Sequence, residues 1–546
     1  MRRPITALIL VAILLAAPLP ARAYTLQFTD ASAGVQIKWP TGVVTVALSS
    51  SVSAPPSNIK AGSDVAGAIR RALLQWAAVS SIRFVETSAN AQSVSPSTGG
   101  DGISLITVAN TPENAALFQG SDRPGRTRVF FDPATGQISE ADIALNPAAL
   151  FSTDGTFGTY DLESVLTHEL GHLLGLEHSG MVGATMQPRL AVNGLYTLPA
   201  FSPRTLSEDD RAGVRSLYGP RTGRGAIAGT VTYANGAPAY GAHVWAEDAA
   251  RGRSVAGQIT SQSGAYHIDD LPPGQYRLIV EHLDGNIVAS EIASSGGAYA
   301  GLSNPQAAFR ATEVAAQVSV TAQANPTLLN ISLSNGQLFL NPRLLGINGQ
   351  LSTIAVPIEP SRTYTLYVGG EGLDQVSGEG ITVTSPYIKV EASSLKLQQL
   401  EATYPIISFN IRVAEDVPAG EYDLRFRSAS GEVSYIAGGL TVDEETGALV
   451  LGPEAGEAVE GLETGMGEAE AQSADAISYL LTPFDLSARS LAPNSRRSAR
   501  LASARAERRS RAASLVQLKL PAPERFKALI EPLLGLRGER SRLGPS

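Results

Sequence analysis

Cysteine is absent from all 546 residues. That one absence excludes disulfide frameworks, cysteine-ligated zinc, iron–sulfur clusters and thiol catalysis. Histidine is scarce as well, with six in the whole chain and only three before residue 220. Beyond the first two dozen residues no apolar run is long enough to span a bilayer. Basic residues are missing from 443–488, which hold eleven acidic groups, whereas 489–546 hold fourteen Lys or Arg against four Glu. No aromatic side chain sits among the arginines of 489–511. A cluster such as Arg508, Arg509 and Arg511 therefore lacks a stacking platform, and nucleic-acid binding is not expected of it. The expectation for 443–546 is an acidic then arginine-rich, low-complexity tail, largely disordered.

What is present is ample apolar material. Hydrophobic residues make up 43% of the chain, enough to bury several cores. At about 150 residues per domain the length predicts three or four domains. Glycine and proline, 53 and 33 in number, favour β architecture over part of it. At the N-terminus, Arg2 and Arg3 precede an apolar stretch from Ala7 to Ala17, then Pro18, Pro20 and an Ala21-Arg22-Ala23 cleavage pattern. Residues 1–23 read as a secretory signal peptide with Tyr24 as the mature start, and an uncleaved anchor as the alternative. The expected location is secreted, with periplasmic or cell-surface association as variants.

Residues 24–219 read as mixed α/β. Val44, Val46 and Leu48 alternate as strand residues do, while Val65, Ile69, Ala72, Leu73 and Trp76 share one helical face. Further strands are expected around Ile82–Phe84, Ile103–Leu105 and Val129–Phe131. Asp161 is placed to N-cap a helix starting at Leu162, and Ser207 with Asp210 forms a capping-box pattern before a helix reaching Tyr218.

The chemistry lies in THELGHLLGLEHSGMVGATMQP, Thr167 to Pro188. His168 and His172 are four apart, so on a helix they project about 40° apart, one turn up, and two such imidazoles can share one metal ion. Glu169 sits beside the first histidine, where it reaches a metal-bound water without being a ligand. On an unbroken helix position 178 would face about 240° away from His172. Gly175 can adopt the left-handed conformation that ends a helix, which lets His178 swing back as third ligand. Three neutral histidines with an open fourth position are the donor set of catalytic zinc.

HELGHLLGLEH is the metzincin signature HExxHxxGxxH, and Ser179, Met186 and Pro188 make the chain resemble the matrixin branch. AIRRALLQWAAVSSIRF and LSEDDRAGVRSLYG resemble that family's first helix with its following strand and its last helix, so the likeness covers most of 24–219. It implies a twisted sheet with three helices, Met186 as a hydrophobic floor beneath zinc, and Glu169 as the base that activates the zinc-bound water. It also places Asp142 and Asn146 where relatives often bind calcium, with a surface-loop role as the alternative. The chain departs from the family in three ways. The propeptide cysteine of many matrixins is missing, so are the histidines of a second, structural zinc, and Leu190 stands where the specificity-pocket tyrosine is usual.

After Gly219 short strands alternate with turns, among them Asn235-Gly236, expected as a hairpin turn, and Pro272-Pro273-Gly274. Residues 224–335 resemble the carboxypeptidase regulatory-like β-sandwich, and 336–442 read as an immunoglobulin-like sandwich. His243, His267 and His282 are scattered on strands, where polar surface or core roles outweigh a second metal site. The fold expected is therefore multidomain: an α+β metzincin domain, two all-β sandwiches and the tail. The expected function is that of a secreted zinc metalloendopeptidase acting on protein or peptide substrates, its sandwiches docking it to a cell surface or polymer. The competing reading is a surface-binding or adhesive protein with a secondary or inactive peptidase domain.

Overall fold

The computed structural model describes residues 25–443, apart from 31–33, 199–203, 294–298, 300–301, 303–308, 324, 335 and 399–402. The signal peptide and the charged tail expected from the sequence lie outside the described residues.

The first unit is built on a five-stranded sheet. Its strands are β1 (Val43–Ser49), β2 (Arg83–Ala89), β3 (Leu105–Thr107), β4 (Gly125–Phe131) and β5 (Ile138–Leu145), in the order β2-β1-β3-β5-β4. All neighbours pair in parallel except β4, which runs antiparallel to β5 along one edge. Val44, Val46 and Leu48 of β1 point into the core, as their alternation predicts. Helix α1 (Val65–Val79) starts where Asp64 Oδ1 accepts the N–H of Gly67 at 2.9 Å. It buries Ile69, Ala72, Leu73 and Trp76 in the core. A five-residue α2 (Pro112–Ala116) adds to the three helices expected. Two short strands, β6 (Phe151–Ser152) and β7 (Tyr160–Asp161), lead into α3 (Leu162–Leu173), capped by Asp161 Oδ1 on the N–H of Ser164 at 3.0 Å. Every residue of α3 is buried, so it is the unit's central rod and not a surface helix. The indole N–H of Trp76 donates to the carbonyl of Thr167 at 2.9 Å and locks α1 against it. Helix α4 (Glu208–Tyr218) closes the unit, with the Ser207–Asp210 capping box formed on both sides.

The second unit contributes β8 (Gly225–Thr232), β9 (Ala242–Asp248), β10 (Arg253–Ile259), β11 (Ala265–Leu271) and β12 (Gly274–His282). The short β13 (Thr312–Glu313), β14 (Val318–Val320), β15 (Thr327–Leu328) and β16 (Ile331–Ser332) complete it. The third unit holds β17 (Asn341–Gly346), β18 (Val356–Pro357), β19 (Thr363–Glu371), β20 (Val376–Val383), β21 (Ile388–Gln398), β22 (Ile406–Val413), β23 (Gly420–Ser428) and β24 (Val433–Val442).

The two β units are not separate sandwiches. One nine-stranded sheet passes through both: seven strands run β13-β12-β9-β10-β23-β24-β18, β14 also pairs with β12 and β20 with β23, and the units join where Ser254 of β10 meets Glu421 of β23. An unpaired edge strand exposes a row of hydrogen-bonding groups, and here each unit covers the other's edge. The seam is buried and polar: Asp423 accepts the Trp245 indole N–H (2.9 Å), the Ser254 hydroxyl (2.5 Å) and the Gly438 N–H (2.7 Å). The Asn235-Gly236 hairpin turn forms as expected, but it does not join β8 and β9 in one sheet. It closes a short tip, Tyr233 N–H donating to Ala237 O at 2.8 Å. The chain pairs back only over this tip, through the antiparallel Thr232–Pro238 bridge and the Ala239 N–H on Val231 O at 2.9 Å, and then crosses to the other sheet.

The first unit packs directly on the other two. Gly257 N–H of β10 donates to Asp209 of α4 at 2.7 Å, and the apolar core of the first unit continues through Leu283, Ile287, Ala289 and Ile292 into the third.

Candidate metal centre

Helix α3 carries His168, Glu169 and His172 and ends at Leu173, with Leu174 as its cap, after which Gly175 takes φ +93°. That backbone conformation suits glycine, and a methyl group there would also lie 2.3 Å from the carbonyl oxygen of Ile37. The chain turns back, and one ring nitrogen from each of His168, His172 and His178 falls within 4.8 Å of the others. The rings are mutually tilted or edge-on at centroid distances of 4.8–5.3 Å. Among the described residues this is the one cluster with the donors for a metal ion.

Each imidazole is oriented by a backbone carbonyl on its far nitrogen. His168 Nδ1 lies 2.8 Å from Thr185 O, His172 Nδ1 2.9 Å from Leu176 O, and His178 Nδ1 2.6 Å from Glu291 O. A carbonyl only accepts, so each Nδ1 carries the hydrogen and each Nε2 keeps its lone pair. His178 Nε2 is buried and has no hydrogen-bond partner among the described residues. Burial pulls His168 down to about 4 and holds His172 and His178 well below the ordinary histidine range. Three neutral, converging, hydrogen-bonded imidazoles are the donor chemistry that suits zinc.

Glu169 is buried beside His168. Burial pushes its carboxyl up to about 7, against the Thr127 hydrogen bond and the charges of Arg123 and Arg126. Thr127 on edge strand β4 donates to Oε2 at 2.7 Å, which keeps the carboxylate from rotating freely.

Beneath the histidines, Ser179 N–H donates to Met186 O at 2.8 Å and closes the loop that holds Met186 against α3. A methyl group on Gly171 would lie 2.2 Å from Met186 Sδ and 3.0 Å from the Trp76 ring, so floor and helix touch there. Pro188 is buried just after this turn. Leu190, half-buried, follows it.

Several contributors carried no signal of their own in the sequence. Asp210 was legible as a helix cap, yet its carboxylate also accepts the N–H groups of Thr185 and Met186. Asp209 accepts the Ser179 hydroxyl at 2.6 Å; burial next to Asp210 raises its carboxyl to about 8. Adjacent acidic residues at a helix start are common, so only the fold reveals what they hold.

The other singled-out residues fall elsewhere. Asp142 is buried, its two oxygens accepting Ser95 N–H (2.7 Å) and Leu105 N–H (2.9 Å). Asn146 is buried too, its amide donating to Arg123 O at 2.9 Å and its oxygen accepting Ala148 N–H. Burial of both side chains goes against the surface-loop alternative to the calcium reading. His243 stacks on Trp245, His267 neighbours Asp269 and His282 lies against Phe309, so these three do not gather.

Residues 38–219 match the family model described as Matrixin, and residues 226–334 that of the carboxypeptidase regulatory-like domain. The chain is 34% identical over 162 residues to metalloendoproteinase 1-MMP of Arabidopsis thaliana, covering 29% of this chain and 38% of that protein. It is 29% identical over 159 residues to metalloendoproteinase 1 of Glycine max, covering 28% and 45%, respectively. Interstitial collagenase of Oryctolagus cuniculus matches at 29% identity over 157 residues, 29% of each chain. The chain thus spans less than half the length of these relatives.

Proposed function

From the matrixin domain that the chain carries at residues 38–219, we propose a secreted zinc metalloendopeptidase that hydrolyses peptide bonds in protein substrates. The observation that carries this reading is the triad of imidazoles, all tautomerically locked by carbonyls, with the Glu169 carboxyl held beside them by Thr127. His168, His172 and His178 would hold the zinc. Bound there, zinc supplies a Lewis acid that polarises the scissile carbonyl and acidifies a water. Glu169 is the general base: it takes a proton from the attacking water and delivers it to the departing amine. Thr127 keeps that carboxylate aimed, while Met186 and Trp76 support α3 from below. Support for export comes from the pattern of residues 1–23.

Proteolysis of casein or a quenched peptide by residues 24–546, alongside Glu169→Ala and a zinc chelator, tests the reading. Cleavage abolished by the chelator and reduced about 10²- to 10⁴-fold or more by the mutation is expected. Full activity of Glu169→Ala would overturn the assigned base.

A further inference from the structure

The ligand histidines are not all held by the unit that contains them. His168 and His172 lean on Thr185 and Leu176, close in sequence, but His178 leans on Glu291, 113 residues away in the second unit. That contact is the shortest of the three. Glu291 is itself fastened. Its Oε1 pairs with Arg189 Nε at 2.7 Å, its Oε2 accepts the N–H of Val288 at 3.1 Å, and Arg189 Nη1 donates to Asn286 O at 3.0 Å. Arg189 directly follows Pro188, so the ion pair ties the end of the Met186 turn to the segment that orients His178.

The segment is braced from behind. Ala289 and Ile292 are buried in the continuous core, and Asp284 is held by Asn341 (2.7 Å) and Arg343 (3.5 Å) of the third unit. A mobile arm could not impose a ring orientation; a segment wedged between two folded units can.

We infer that residues 283–293 of the second unit are a working part of the metal centre, with Glu291 and Arg189 as positioning residues that act through His178. The inference rests on the zinc reading above. The β units are then more than docking modules, because the third ligand has its tautomer and ring angle set only when they are seated. Outer partners of metal-bound histidines typically control affinity by 10- to 100-fold.

The test measures zinc affinity of residues 24–546 by competition with a chromophoric chelator, together with the unfolding midpoint of the metal-free protein. Glu291→Gln and Arg189→Gln should each weaken zinc about tenfold with a native circular dichroism spectrum. The exchange Arg189→Glu with Glu291→Arg should recover most of that loss. Glu391→Gln, which breaks the Arg412 pair on an exposed strand, should leave affinity unchanged. Native affinity in both folded single variants would overturn the inference. If either single variant fails to fold, the exchange decides: native affinity supports the inference, and a tenfold loss in a folded exchange overturns it. Failure of the native chain to bind zinc would instead remove the function proposed above, so the two failures are distinguishable.

Discussion

The carboxylate of Asp210 accepts the backbone N–H of Met186 at 3.1 Å. Through its other oxygen it accepts Thr185 N–H at 2.8 Å, while Thr185 O in turn holds His168. The N-terminus of α4 is thereby coupled to His168 by two backbone groups of one residue.

Asp210→Ala should remove the capping box, with its Ser207 N–H bond, and also leave the buried N–H groups of Thr185 and Met186 without an acceptor. At about 1–3 kcal/mol for each orphaned group, denaturant unfolding should show a loss of at least about 2 kcal/mol. Zinc affinity should fall in parallel, because Thr185 O no longer has a fixed position. A native unfolding curve would mean that the turn is held by something else.

Gly175→Ala combines a left-handed backbone, costing a non-glycine residue roughly 1–2 kcal/mol, with a contact to the Ile37 carbonyl that neither side can yield. The expected result is a lower thermal midpoint and a zinc stoichiometry below one, since His178 depends on that turn. Titration of the purified variant with zinc checks it.

Tyr196 is fully buried, with φ +59°, and its hydroxyl lies 2.6 Å from Ile354 O and 3.0 Å from Leu345 O of the third unit. Tyr196→Phe should cost about 1–3 kcal/mol through the carbonyls it abandons. It should also expose residues 189–198 to limited proteolysis, which gel electrophoresis would show as cleavage absent from the parent chain.

Glu421, buried where β23 meets the first unit, is pushed up to about 8 by burial, then by Glu208, Asp210 and Asp209, against Arg253. Its folded pKa lies above its ordinary value of 4.5, so its stabilising contribution is complete below that value. That contribution is lost as pH rises through about 8. The metal-free protein should therefore grow less stable between pH 5 and about 9, and Glu421→Gln should flatten this slope. Urea midpoints across that range measure it; parallel slopes for the two proteins would contradict the assignment.

Much of the first unit was readable because its signals are local. Asp161 and Ser207–Asp210 cap the helices they precede, and the period of Val65 to Trp76 names the face that α1 buries. HELGHLLGLEH holds the spacing of the three histidines and the glycine that turns the third one back. The parts that could not be read are long-range. Nothing near Glu291 distinguishes it, because what it offers His178 is a carbonyl that every residue possesses. Thr127 is one strand residue among many until β4 is laid over α3. The Ser254–Glu421 seam joins strands whose neighbours look equally suited to two closed sandwiches.

The sequence alone determined the donor set, since residue identity and helical spacing decide which lone pairs are available and roughly where they point. Tertiary structure alone decided what orients them. Ring angle and tautomer depend on backbone carbonyls brought up from other elements, and which carbonyl arrives is a property of packing, not of any residue's chemistry.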